Sequence, residues 1–230
     1  MATKESGRQR RTDALSKQLI VRAAIEILDT GGEAALTFSV LTRRLNTGYG
    51  AIYHYVANKS DLLAAATDDV ITRVVAGPIT EPEPREGLRA LALSLFDAID
   101  AHPWVGAQLT REPWRPALLD VYKCISEQLQ ALGVPAEAIF DSAGALMNYI
   151  LGVAGQNAAN ARVLASNRTD RDALLADIAA QWAQLDPIRH PWAAGTAKRL
   201  REHDDRAQFL VGVDLILAGI EAVNREREDS

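Results

Sequence analysis

Disulfides, metal sites, strands and membrane spans are all scarce in this chain, and each shortage excludes a class of protein. Cys124 is the one cysteine in 230 residues, so no internal disulfide can form and a reducing compartment suits the chain. No run of about 18 uncharged apolar residues occurs, which argues against a membrane span. Basic residues near the start have no apolar segment behind them before Leu15, so the N-terminus does not read as a secretory signal. The cytoplasm is the expected location, and the Asn167-Arg168-Thr169 sequon reads as an accident of composition. Period-two strand patterns are absent. Enzymatic constellations are absent too: the four histidines (His54, His102, His190, His203) form no His-x-x-x-His, and there is no Cys pair to bind a metal. No glycine-rich phosphate loop follows a strand and no Ser sits in a nucleophile elbow. Asp204-Asp205 reads as a solvated turn and Asp214 as a buried cap-type partner. No catalytic residue, metal or cofactor is expected.

What is present is an uneven distribution of charge. Apolar residues make up 48 % and charged ones 24 %, ordinary for a globular protein of one large or two small domains. Residues 1–60 hold nine Lys or Arg against five Asp or Glu, a surplus of four, whereas the other 170 hold 16 against 25; together they give the net −5. A pI near 5.4 would argue against nucleic acid, but the positive charge is gathered at one end. A small basic module carried on a larger acidic body fits these counts.

Residues 1–13 are polar, with Lys4, Arg8, Arg10 and Arg11, and read as a flexible basic arm that could enter a minor groove. From Leu15, apolar Ile20, Ala23, Ala24, Ile27 and Leu28 recur at helical spacing until Gly31-Gly32. Thr37 is a good N-cap for a second helix through Leu45, with Val40, Leu41 and Leu45 inward. Asn46 makes a turn, a third helix runs to about Tyr55, and Asn58 or Ser60 starts a fourth that stops at Gly77-Pro78. Helix, short turn, helix inside about 50 residues is the helix-turn-helix arrangement. Prolines 78, 82 and 84 mark a boundary. Beyond it helices are expected at about 86–101, 103–110, 116–132, 136–162, 170–185, 191–203 and 205–225. Gly133 before Val134-Pro135 marks one stop and start, and Thr169-Asp170-Arg171-Asp172 resembles a capping box.

The third helix is the most informative segment. Residues 47–59 carry two glycines and three tyrosines, followed by Lys59 in a polar turn. Ile52 and Val56 read as the inward pair, which leaves Tyr49, Gly50, Ala51 and His54 facing outward. Small residues allow close approach, and tyrosine and lysine donate to phosphate oxygens. Such a helix suits a DNA groove. In the second part, Ser142–Ala161 is rich in small residues and Phe209–Val223 is apolar nearly all round, with only Asp214 and Glu221 charged. A helix without a polar face must be covered on both sides; the rest of the chain could do so, and a symmetric four-helix dimer interface, the expected arrangement, would do so equally well.

A family resemblance rests on Ile20-Val21-Arg22-Ala23-Ala24-Ile25, Leu28-Asp29-Thr30-Gly31, Leu36-Thr37, Leu41 and Leu45. Above all it rests on Ile52-Tyr53-His54-Tyr55-Val56 with Asn58-Lys59 and Leu62-Leu63. In these the chain resembles the TetR family of transcription factors, in the branch that contains the tetracycline repressor. The back half is similar more diffusely, through His102-Pro103-Trp104 and Phe209-Leu210-Val211-Gly212-Val213-Asp214. The resemblance implies a homodimeric, ligand-responsive regulator, usually a repressor, that binds a palindromic double-stranded DNA operator and is released by a small molecule. The expected architecture is all-α. It comprises the arm at 1–13, a helix-turn-helix DNA-binding domain at 14–60, and a helical ligand-binding and dimerisation domain at 61–230.

Carried over by position, Thr37 would bind phosphate, Tyr53 and Lys59 would clamp the backbone, and Tyr49, Gly50, Ala51 and His54 would face base edges. Arg43 and Arg44 could add phosphate contacts. Either Thr47 caps the third helix one position early or Gly48 caps it weakly. On the ligand side, Phe96, His102, Trp104, Trp114, Tyr122, Met147, Asn148 and Gln156 suit an apolar pocket with a few polar groups. Thr110-Arg111-Glu112-Pro113 loosely echoes a ligand-holding Thr-Arg-Pro turn of the tetracycline repressor, which adds Thr110 and Arg111. That repressor's metal-chelating and amide residues fall near Val75 and Ala92, which cannot play those parts, so tetracycline–magnesium is not the expected ligand. Two alternatives stay open: a helical protein-interaction module that binds no DNA, and an activator on the same fold.

Overall fold

The computed structural model describes residues 15–77, 81–111 and 115–228. The basic arm at 1–13, Pro78 and Trp114 lie outside them. The described residues form eleven helices and no strand. They divide into two compact units, the first ending at Val70 and the second beginning at Ile71. That division falls inside the fourth helix, ten residues beyond the sequence boundary of 60. A proline-rich linker is visible in composition, but a helix shared by two units is not.

In the first unit, α1 (Lys17–Ala35) starts where the Ser16 hydroxyl accepts the Leu19 amide at 3.1 Å. Its apolar stripe of Ile20, Ala23, Ala24, Ile27 and Leu28 is buried, as is Val21. Gly32, at φ 66°, breaks the helix in a conformation that favours glycine, but one more turn follows to Ala35. α2 (Phe38–Leu45) starts at Thr37, whose Oγ1 accepts the Val40 amide at 3.2 Å. Leu41 is buried, whereas Val40 and Leu45 are half-buried. Asn46 closes α2 in the left-handed region, φ 48°, which Asn tolerates better than most residues. α3 (Tyr49–Tyr53) is shorter than its sequence suggests. α4 (Lys59–Val75) begins where the Asn58 Oδ1 accepts the Asp61 amide at 2.9 Å, so Asn58 rather than Ser60 caps it. Leu36, Leu41, Ile52, Val56, Leu62, Leu63 and Ala66 complete the core. Each fully buried Leu or Ile contributes about 1.5–3 kcal/mol, and that core is what holds so short a helix as α3 in place.

The second unit holds α5 (Pro84–Ala101), α6 (Pro103–Arg111), α7 (Pro116–Ala131), α8 (Ala136–Asn167), α9 (Arg171–Ala183), α10 (Ala193–Leu200) and α11 (Asp205–Glu228). α8 runs five residues past its expected end and packs against α5, α6, α7 and α11. A Cβ on Gly106 of α6 would sit 3.1 Å from the Cα of Gly155 in α8; these glycines let the two backbones approach. Gly212 of α11 makes room for Tyr149, since any Cβ there would overlap the phenol. The Tyr149 hydroxyl donates to the Phe209 carbonyl at 3.1 Å, and burial pushes its pKa up. Asp170, not Thr169, caps α9: its Oδ1 accepts the amides of Asp172 and Ala173 at 2.8 and 3.2 Å.

The two acids of α11 are satisfied within the unit. Arg85 donates to Glu221 at 2.6 Å and to the Asp214 carbonyl at 3.3 Å, and Arg89 donates to the Asp214 carboxylate. The same helix leaves Val211, Leu215 and Val223 exposed, and α8 leaves Phe140 and Val163 exposed. By length and composition, α8 and the part of α11 from Asp205 to Arg225 could each cross a membrane. This is weak evidence, because the core helices of soluble proteins pass the same test.

Candidate functional site

α2, the Asn46 turn and α3 build the first candidate site. Thr47 donates its amide to the Thr42 carbonyl at 3.0 Å and forms part of the turn. Gly48 is the N-cap of α3 and offers no side-chain bond, which settles the cap that the sequence left open. Ile52 is fully buried and Val56 nearly so. With this pair inward, Tyr49, Gly50, Ala51, Tyr53 and His54 are all exposed. A Cβ on Gly50 or Gly48 would meet nothing within 4 Å, so neither glycine is demanded by packing inside the unit. Tyr53 lays its ring flat on Phe38, centroids 4.8 Å apart and planes 8° from parallel, and is still 52 % exposed. The tyrosine packs and presents a hydroxyl together. His54 meets Tyr55 edge-on at 5.2 Å, and the Tyr55 hydroxyl donates to the Leu15 carbonyl at 2.7 Å. That bond ties the end of the motif to the start of the described chain.

Three basic side chains flank this face. Arg43 is exposed. Arg44 pairs with Glu26 of α1, both more than half or nearly half open to solvent. Lys59 donates its Nζ to the Glu33 carbonyl at 2.5 Å, at the end of α1. The expected clamp residues therefore sit beside the face but in contact with their own protein, and Lys59 must turn outward to reach a phosphate. Thr37 uses its oxygen as the α2 cap, and its hydroxyl proton can still be donated outward. The contacts of Glu26, Glu33, Phe38 and Tyr55 were not legible in the sequence because their partners lie 15 to 40 residues away.

A second candidate site lies within the larger unit: a cavity of about 1140 Å³ lined by α5, α8, α9, the end of α10 and the start of α11. Its apolar wall includes Val153, Leu164, Leu174, Leu175 and Ile178, with Phe96, Tyr149 and Phe209 below. The three rings form one group, with Phe96 4.7 Å and Tyr149 5.7 Å from Phe209. Gln156, Asn157 and Asn160 add amides. Charged groups gather where α9 meets the start of α11. Arg171 donates to Asp205 at 2.6 Å and to the His203 carbonyl at 3.3 Å, and the His203 Nε2 lies 2.9 Å from the other Asp205 oxygen. Arg206 makes a two-pronged pair with Asp97 at 2.9 and 3.1 Å, which raises the guanidinium's pKa. Asp204 accepts the amides of Arg206 and Ala207. The Ala207 amide is the chief reason its carboxyl stays below the usual range.

Of the ligand residues expected from sequence, Phe96 and Gln156 line this cavity. His102, Trp104, Thr110, Arg111, Tyr122, Met147 and Asn148 do not. Trp104 is core, and Thr110 and Arg111 form the last turn of α6, the Thr110 hydroxyl donating to the Gly106 carbonyl at 2.9 Å. Among the described residues no cluster of His, Cys, Asp or Glu could hold a metal ion.

Comparison with known proteins matches both units. Residues 20–66 match the model of bacterial regulatory proteins of the tetR family, and residues 78–224 that of the tetracyclin repressor-like C-terminal domain. The transcriptional regulator SCO7222 from Streptomyces coelicolor is 45 % identical; the match covers 92 % of this chain and all of that one, with a TM-score of 0.82. An HTH-type transcriptional regulator of Saccharopolyspora erythraea is 28 % identical over 90 % of this chain and 87 % of its own length. A structure of BioQ with its natural double-stranded DNA operator is 27 % identical, covering 64 % of this chain and 89 % of that one, with a TM-score of 0.55.

Proposed function

Because this chain belongs to the tetR family of bacterial regulatory proteins, whose relatives here are transcriptional regulators rather than enzymes, we propose that it is a cytoplasmic, homodimeric repressor. It binds a palindromic operator and lets go when a small molecule fills the cavity. The observation that carries the reading is the outward face of α3. Tyr49, Gly50, Ala51 and His54 stand exposed on a helix pinned by Ile52, with open space around Gly50. A glycine that costs about 1 kcal/mol in a helix, and that nothing inside the protein requires, suits close approach to base edges. BioQ's complex with its operator supports duplex DNA as the partner.

Pairing follows from affinity. One short helix reads only a few base pairs, and two such helices about 34–36 Å apart would read half-sites one duplex turn apart. The exposed Val211, Leu215 and Val223 of α11, with Phe140 of α8, support these two helices as the surface that joins the copies. A dimer seated on a promoter blocks it. Release requires a ligand that prefers the conformation in which the heads mismatch the grooves, and a preference of about 5.5 kcal/mol would move the population from almost all bound to almost all free. The test is a gel-shift titration of the purified chain on a palindromic fragment from beside its own gene. A salt-dependent shift is expected. Binding that is equal on palindromic and scrambled duplexes contradicts the reading.

A further inference from the structure

The cavity of the second unit carries information about what it accepts, because its charged groups are not equally engaged. The cationic groups of the lining, and the backbone amides at the start of α11, are each already held by a carboxylate of the protein, which leaves only neutral side-chain amides to meet an anion. Arg206 is gripped by both oxygens of Asp97, and Arg171 donates to Asp205, which also faces His203. The amides at the start of α11 point at Asp204. An incoming carboxylate or phosphate that took one of these donors would have to displace the carboxylate that now holds it and leave that charge beside its own. Asp100 is different. It lines the cavity from α5, and among the described residues it has no ion-pair or side-chain hydrogen-bond partner.

Set against the apolar wall supplied by α8 and α9, this leaves one site for positive charge beside a surface for hydrocarbon. Resting on the reading of this unit as the effector-binding body, we propose that the cavity selects lipophilic organic cations and rejects anions of the same size and shape, with Asp100 as the residue that sets the preference. The volume of about 1140 Å³ admits a drug-sized molecule, for which binding cavities run to about 300–1000 Å³. Discrimination by an uncompensated carboxylate on one side and pre-occupied guanidinium groups on the other uses attraction and rejection together.

Tetraphenylphosphonium and tetraphenylborate make a matched probe pair, equal in shape and opposite in charge, and calorimetric titration of the full chain with each reads the preference directly. The cation is expected to bind at least about tenfold tighter, a difference of about 1.4 kcal/mol. Asp100→Asn should bring the ratio toward one. Asp97→Asn, which leaves Arg206 without its carboxylate, should instead tighten borate binding severalfold. Both positions are exposed, and a thermal melt checks that each variant folds. Borate binding equal to or tighter than phosphonium, no binding of either, or a ratio unmoved by Asp100→Asn would each overturn the proposal. Operator binding without ligand is measured separately. Phosphonium that binds without changing DNA affinity would contradict the release mechanism and leave the charge preference standing.

Discussion

On α3 of the first unit, Tyr49, His54 and the rim of Gly50 stand open. Around the cavity of the second, Arg171, Arg206 and Asp204 are already answered by neighbours. The two regions use polar groups in opposite ways, and the difference follows the size of the partner each suits. A duplex brings its own dense, fixed array of acceptors, so a reading surface works best with donors exposed and nothing bulky in front of them. A small molecule brings few groups, so a cavity discriminates by which of its charges remain uncompensated. The flanking Arg44 and Lys59 fall between the extremes: each has a contact on its own protein that a phosphate can replace.

Several substitutions break or sharpen this contrast. The largest effect is expected from Leu215→Glu on the exposed side of α11, which places charge in the proposed joining surface. It should yield a monomer by light scattering and weaken operator binding about a thousandfold, because linked heads gain roughly 10²–10⁴ from acting together. Gly50→Leu should weaken DNA binding about a hundredfold, since lost base contacts are worth about 1–3 kcal/mol each. Its melting temperature should be unchanged or slightly higher, as replacing a helical glycine removes a penalty of about 1 kcal/mol; gel shift and thermal melt together check both halves. Tyr53→Phe combined with Lys59→Ala should cost about tenfold on all sequences alike and lower the salt slope by about one. Glu26→Gln frees Arg44 from an exposed ion pair worth about 0.2–1 kcal/mol, so operator binding should tighten about two- to threefold at low salt.

The smallest effect concerns acid stability. The Asp204 carboxyl is lowered from its ordinary 3.8, chiefly by the Ala207 amide. A lowered folded pKa gives stability that is present above the unfolded value and lost as pH falls through the folded one. Asp204→Asn should therefore lower the melting temperature slightly at neutral pH and flatten its fall below about pH 4, so that the two chains converge in acid.

Much of the fold was legible because helices declare themselves locally. Ile52 on α3 and Val56 just beyond its end lie four residues apart and are both buried, and Thr37 caps α2 as its residue type requires. Where two local rules competed, the sequence could mislead: Thr169 and Asp170 are both capping residues, and only the backbone geometry selects Asp170. The cavity was the least legible part. Periodicity shows that Trp104 and Phe96 point inward, but not that one meets packed core and the other an open space. Arg171, Asp205 and Asp97 converge from positions up to about 110 residues apart, and no spacing rule connects them. Arg44 likewise meets Glu26 only because α1 and α2 pack together.

The central claim is that the outward face of α3 reads duplex DNA. Selection of duplexes from a random library by the full chain, repeated in parallel with the Gly50→Leu chain, tests it most directly. The account predicts enrichment of two-fold symmetric sites with half-sites about one turn apart, lost with the variant; failure to enrich any motif, or the same motif recovered by both chains, would contradict it.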